Sequence, residues 1–292
     1  MAISSFMAKP SSSTDALFRD WGSKLSAAIQ AVGLVKTGDT GQINWSTVTV
    51  GTGIRGYEIF RFNDSLQATT PVFIKIEYGH PTSTTSYVLF RTTVGKGTDG
   101  AGNITGVLHT ALANANGSQD STNDFVSYVS SGDGSMLNIS LFPTWNATYS
   151  PMLKFSLERS RDAGGNPTTT GTFCYRFATG FVPADGNRSE ASDYSTGQTN
   201  IIKRCAINTG YEISQTTTLN NGSSTMLFNA EVVNPARQKW KPRSILAYAN
   251  ADAGTLQTIN VGGVNYLTLG VSGGSYSDVG KQQYCCLAMA YY

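Results

Sequence analysis

Apolar residues in this chain keep two different periods, and the change between them is abrupt. From Thr14 to Val32 they recur at steps of three and four, through Leu17, Phe18, Trp21, Leu25, Ala28, Ile29 and Val32, which is one face of an α-helix. Arg19, Asp20, Lys24 and Gln30 fall on its other faces. Thr14 suits the N-cap, Asp15 puts a negative charge in the first turn where the helix dipole favours it, and Gly33 suits the left-handed residue that ends a helix. Behind Gly33 the period falls to two and stays there. The chain therefore has one amphipathic helix and, after it, strands, so its fold class is all-β: an antiparallel β-sandwich or jelly roll with an N-terminal helix.

The predicted strands are short and bounded by turn residues. They include Ile43 to Val50, Tyr57 to Phe62, Val72 to Tyr78, Tyr87 to Val94 and Ile104 to Leu112. In the third of these, Val72, Ile74, Ile76 and Tyr78 share one face. Phe125 to Val129, Met136 to Phe142, Met152 to Glu158 and Thr172 to Phe177 continue the pattern, and further strands are expected from Thr225 to Tyr292. Asn114 to Asn123 is the poorest core material. It divides the chain into an N-terminal segment (1–42), a first β region (43–113), a junction (114–123) and a second β region (124–292), which either forms its own domain or continues one sandwich. Pro183 to Gln198 reads as a long exposed loop. Ala68 to Glu77 echoes Ala147 to Glu158, and Asp99 to Asn103 echoes Asp162 to Asn166; a duplication or two similar hairpins on paired sheets would each give this pattern.

Composition narrows the surface. Charged residues are only 14% of the 292, against about 25% in ordinary soluble domains, and Ser, Thr, Asn and Gly take their place. Net charge is +2, which gives no global attraction to nucleic acid or to an anionic membrane. No apolar run is long enough to span a bilayer, and Met1 to Pro10 lacks the basic start and apolar core of a secretory signal, so the expectation is a product made soluble in the cytosol. The four cysteines, Cys174, Cys205, Cys285 and Cys286, fit no zinc spacing. Cys174 and Cys205 could be bridged, but buried free thiols suit a chain without an export signal.

The residues that carry chemistry are few. A serine or cysteine nucleophile needs a base, and the chain has two histidines, His80 and His109; alternation places His109 on the same face as Val107, and packing explains both rings. Asp133, Glu158, Asp162, Asp185, Glu190 and Asp193 could supply the paired carboxylates of a glycosidase, yet most occupy turns, where Asp serves the backbone. Asp99 and Asp162 read as turn residues before calcium ligands. No catalytic, cofactor or metal site is expected. Two candidate contact surfaces remain. The stripe of Phe18, Trp21, Leu25 and Ile29 either caps the chain's own sheet or docks on another subunit. Arg237, Lys239, Trp240, Lys241 and Arg243 make the densest basic segment, either a solvated connection or a partner contact.

Ala2 to Phe6, Thr14 to Val35, Thr37 to Trp45 and Gly56 to Gly79 resemble a family of tailed-bacteriophage virion proteins, with weaker echoes at Ser131 to Ser135 and Leu157 to Asn166. The resemblance implies a structural component of a phage particle, of tail-fibre, tail-tip or baseplate type, made in the bacterial cytoplasm and incorporated in the virion. It implies other virion proteins as partners, a homo-oligomer with three copies favoured, attachment through the N-terminal segment, and loops that contact a host-surface glycan. It transfers no catalytic residue. A capsid decoration or head-fibre protein and a glycan-binding or glycan-degrading tail protein are the alternatives.

Overall fold

The computed structural model describes residues 2–9, 14–81, 88–116, 125–131, 134–143, 153–162, 164–178 and 188–194, and short strands within 207–290. The helix α1 spans Asp15–Ala31, with the Thr14 hydroxyl accepting from the Leu17 N–H. Its end is a Schellman turn. Gly33 takes φ 102°, its N–H donates to the Gln30 carbonyl, and the Leu34 N–H reaches back to Ile29.

The first sheet contains β2 (Val35–Lys36), β3 (Gly53–Arg61), β4 (Phe73–His80), β5 (Val88–Thr98) and β6 (Ile104–Asn116), antiparallel and in chain order. The second contains β1 (Ala2–Ala8), β7 (Phe125–Ser131), β8 (Met136–Pro143), β9 (Leu153–Arg161), β10 (Pro167–Ala178) and β11 (Arg188–Asp193) in the order β1-β7-β8-β9-β10-β11. The N-terminal strand thus joins the sheet built by the second β region, pairing Ala2 with Ser131 and Ala8 with Phe125. Both sheets contribute to one apolar core: Val72, Ile74, Ile76 and Tyr78 from the first and Leu137, Ile139, Phe155 and Leu157 from the second are all buried. Phe90 meets Phe155 edge-on at 6.2 Å across the interface.

At one margin β6 runs beside β10 and β11. At the other, α1 lies against β1 and β7 and meets β3 at Glu58 and the end of β4 at Tyr78 and His80. The helix closes the open side of the sandwich, which is why its stripe is apolar.

In the last third, β12 (Ile207–Asn208), β14 (Glu231–Val233) and β15 (Lys239–Trp240) form one small sheet. β13 (Leu227–Asn229), β16 (Ile245–Tyr248), β17 (Thr258–Val261), β18 (Val264–Val271) and β19 (Cys286–Ala290) form a five-stranded one, ordered β13-β16-β19-β18-β17. β17 and β18 pair antiparallel, with Val261 opposite Val264.

Several expectations are corrected. Ile43 to Val50 is not a strand: the Asn44 side chain accepts from the Ser46 N–H, its carbonyl accepts from Thr47 and Val48, and these local bonds replace a ladder. β6 runs on to Asn116, into the expected junction. The expected loop at Pro183 to Gln198 contains β11, paired along β10 from Gly171 to Arg176. His109 does not share a face with Val107. Bulges in the β5–β6 ladder pair Val94 with His109 and Gly95 with Val107, so the extra residue turns His109 into the core and leaves Val107 exposed.

Candidate functional site

The helix and the first sheet meet in an aromatic cluster. Phe18 lies 6.3 Å from Trp21, 5.4 Å from Trp45 and 4.8 Å from the ring of His80, and Tyr78 meets Trp45 at 5.0 Å and Trp21 at 6.0 Å. Phe18, Trp21, Leu25 and Ile29 are each 0% exposed. The stripe left open between a cap and a docking face is spent on the chain's own core, where each such side chain contributes about 1.5–3 kcal/mol. Gly22 belongs to the same arrangement. A methyl there would overlap the Trp45 indole, so the helix keeps a residue of poor helix propensity to let that ring in.

Beside the aromatic rings sits a buried carboxylate. Glu58, on the inward parity of β3 with Phe60 and Phe62, accepts from Ser26 Oγ at 2.7 Å, Lys36 Nζ at 2.5 Å and Tyr78 OH at 2.9 Å. Helix, connection and two strands converge on it. A buried acid requires such partners, and three donors hold it as an acceptor rather than as a general acid. Burial first, and then the Glu58 charge and its hydrogen bond, push the Tyr78 phenol well above its ordinary 10.0. Sequence reasoning missed Glu58; its signal was its shared parity with two core phenylalanines.

Two arginines brace the sandwich. Arg159, 1% exposed, pairs with Asp64 and donates to the Thr70 carbonyl at 2.7 Å, fastening the β3–β4 loop to the second sheet. Arg176, also 1% exposed, reaches from β10 to the carbonyls of Thr92 at 3.3 Å and Thr110 at 2.9 Å. These guanidiniums satisfy backbone groups that the loops and bulges leave unpaired.

The residues singled out for chemistry fall in different parts of the fold. His109 Nε2 lies 2.9 Å from the Thr172 hydroxyl in the core. Cys174 is buried, and its sulfur accepts from Arg176 Nε at 3.2 Å. Glu158 is buried, and Asp133 and Asp185 lie outside the described residues, while Glu190 and Asp193 lie in β11. Asp99 and Asp162 open two hairpin loops of the same wiring, Asp99 to Asn103 between β5 and β6 and Asp162 to Asn166 between β9 and β10. In each, the aspartate N–H donates to the asparagine carbonyl, and its carboxylate accepts from the asparagine N–H and side-chain amide. For Asp99 the Asn103 side chain, and for Asp162 the Asn166 backbone N–H, leads in holding the carboxyl below its ordinary 3.8. Among the described residues no three His, Cys, Asp or Glu side chains gather as a metal-ligand set.

Of the basic segment, Lys239 and Trp240 form β15, where Trp240 pairs with Val232; Arg237, Lys241 and Arg243 lie outside the described residues. A different surface stands out on β1. Its side chains alternate, Phe6 and Ala8 packing inward, while Ile3 and Met7 on the opposite face are 36% and 54% exposed. With Val107 they are the exposed large apolar side chains among the described residues. No protein-family model matches the chain, and no curated protein matches it in sequence.

Proposed function

We propose that this chain is a non-enzymatic structural subunit of a tailed-bacteriophage particle, of tail-fibre or tail-tip/baseplate type, assembled as a homo-oligomer on other virion proteins. One observation carries the reading. The sequence blocks that resemble phage virion proteins, Thr14 to Val35, Thr37 to Trp45 and Gly56 to Gly79, supply α1, Trp45 and most of β3 and β4, and they meet in one packed unit through Phe18, Trp21, Trp45, Tyr78 and Glu58. The resemblance therefore falls on residues that build the scaffold. The polar, weakly charged composition and the structural use of His109, Glu58, Arg159 and Arg176 accord with a part that is held rather than one that turns over a substrate.

The attachment surface in this reading is not the helix stripe, which is internal. It is the outer face of the N-terminal strand β1, with Ile3 and Met7, which among the described residues is an edge strand paired only with β7. Edge strands with apolar side chains are natural contact sites.

Particles purified from an infected culture, disrupted and fractionated into heads and tails, test the proposal by quantitative mass spectrometry of this chain. Recovery with tails at a fixed small-integer multiple per particle is expected. Absence from purified particles overturns the proposal, and recovery with heads replaces tail by head as its place.

A further inference from the structure

Residues 44–52 cross the mouth of the aromatic cluster without forming strand or helix, and side chains from three elements tie them down. From α1, Asp15 Oδ1 accepts the Val50 N–H at 2.8 Å, and Arg19 donates to the carbonyls of Val48 at 2.6 Å and Thr47 at 3.1 Å. From β3, Arg55 donates to the Thr49 carbonyl at 3.0 Å. From the end of β4, His80 Nδ1 lies 3.0 Å from the Gly51 carbonyl. The segment presses Trp45, Val48 and Val50 against the core. We propose that it is an acid-released strap, held shut over the aromatic cluster by neutral His80 and freed when that ring gains a proton.

The chemistry follows from the partner. A carbonyl only accepts, so Nδ1 carries the proton and the lone pair of the neutral ring lies on Nε2. Nε2 is buried, with no hydrogen-bond partner among the described residues, and the ring lies tilted against Phe18, 4.8 Å between centroids. A neutral lone pair is tolerable there. A proton on Nε2 would place a donor without an acceptor, and a positive charge, among aromatic rings. Among the described residues the charged groups packed around the strap are Arg55 on β3 and Asp15 and Arg19 on α1. Arg55 repels an imidazolium, whereas Asp15 and Arg19 are engaged with the strap backbone. The adjoining residue on β5, Val88, carries no charge.

Burial above all, then Arg55, lowers the His80 imidazole below its ordinary 6.5, against the Gly51 carbonyl, which raises it. The closed strap therefore binds a proton less readily than the open one. Its stability is complete above about pH 6.5 and is lost as pH falls from there toward the lowered value, the opening constant rising by about tenfold per pH unit across that window.

Imidazole nitrogen NMR on the full chain tests the starting state, with His109→Gln leaving a single histidine signal. Hydrogen exchange of the peptide covering residues 44–52, corrected for intrinsic rates, then follows the strap between about pH 7.5 and 5. Expected are the Nδ1–H tautomer at neutral pH, titration below the ordinary histidine value, and exchange in 44–52 that rises with that titration, while His80→Gln removes the pH dependence. An Nε2–H tautomer, or His80 titrating while exchange in 44–52 stays flat, overturns the proposal. So does a transition that persists at the same pH in His80→Gln. If His80→Gln does not fold, the tautomer and the coupled titration of the native ring decide the matter.

Discussion

At the scale of single residues, the cluster beneath α1 depends on positions whose chemistry looks wrong out of context. Gly22 sits in mid-helix, where alanine would favour the helix by about 1 kcal/mol. Because a methyl there displaces the rigid Trp45 indole, Gly22→Ala is expected to lower stability by about 1–3 kcal/mol in urea denaturation, and a neutral or stabilised variant would refute this packing. Tyr78 gives a pH signature. Its raised folded value means that the unfolded chain loses the phenolic proton first, so stability is intact below about pH 10 and falls as pH rises beyond it. Tyrosinate absorbance should show one residue ionising only together with unfolding, and Glu58→Gln should bring that ionisation to lower pH.

At the scale of elements, α1 is the wall of the sandwich rather than an appendage. Leu25→Ala alone should cost about 2–5 kcal/mol and Trp21→Ala about 3–5 kcal/mol, comparable with the total stability of many domains. The double variant Trp21→Ser/Leu25→Ser is therefore expected to lose near-ultraviolet circular dichroism and the cooperative transition. A folded variant that merely fails to assemble would show instead that the stripe faces a neighbour. The strap at residues 44–52 makes the complementary point about backbone. Its alternation reads as a strand, but Asn44 captures the following N–H groups locally, Asp15 accepts the Val50 N–H, and Arg19, Arg55 and His80 donate to the carbonyls of Val48, Thr49 and Gly51.

At the scale of the whole molecule, the two sheets are joined by apolar packing and by buried arginines. Arg159 and Asp64 are remote in sequence, and both are almost wholly buried. Removing one partner strands the other, so Arg159→Ala is expected to destabilise by about 3–5 kcal/mol. A double-mutant cycle with Asp64→Ala should recover much of that loss, whereas additive losses would mean that the pair does not act as a unit. Added salt should change the Arg159 contribution little, because the pair is shielded from solvent.

The sequence by itself determined the helix, its caps and its apolar stripe, the common face of Val72, Ile74, Ile76 and Tyr78, the strand-rich class and the turns at Asp99 and Asp162. Each rests on local periodicity or on a side chain bonding to its own turn, and both kinds of signal lie within a few residues. Tertiary structure alone decided that Ala2–Ala8 joins the sheet of the second β region, that bulges turn His109 inward away from Val107, that Glu58 is a buried anchor, and that residues 44–52 form a strap. Those outcomes depend on partners tens of residues away, and on the burial that makes a hydrogen bond or an extra residue in a ladder count.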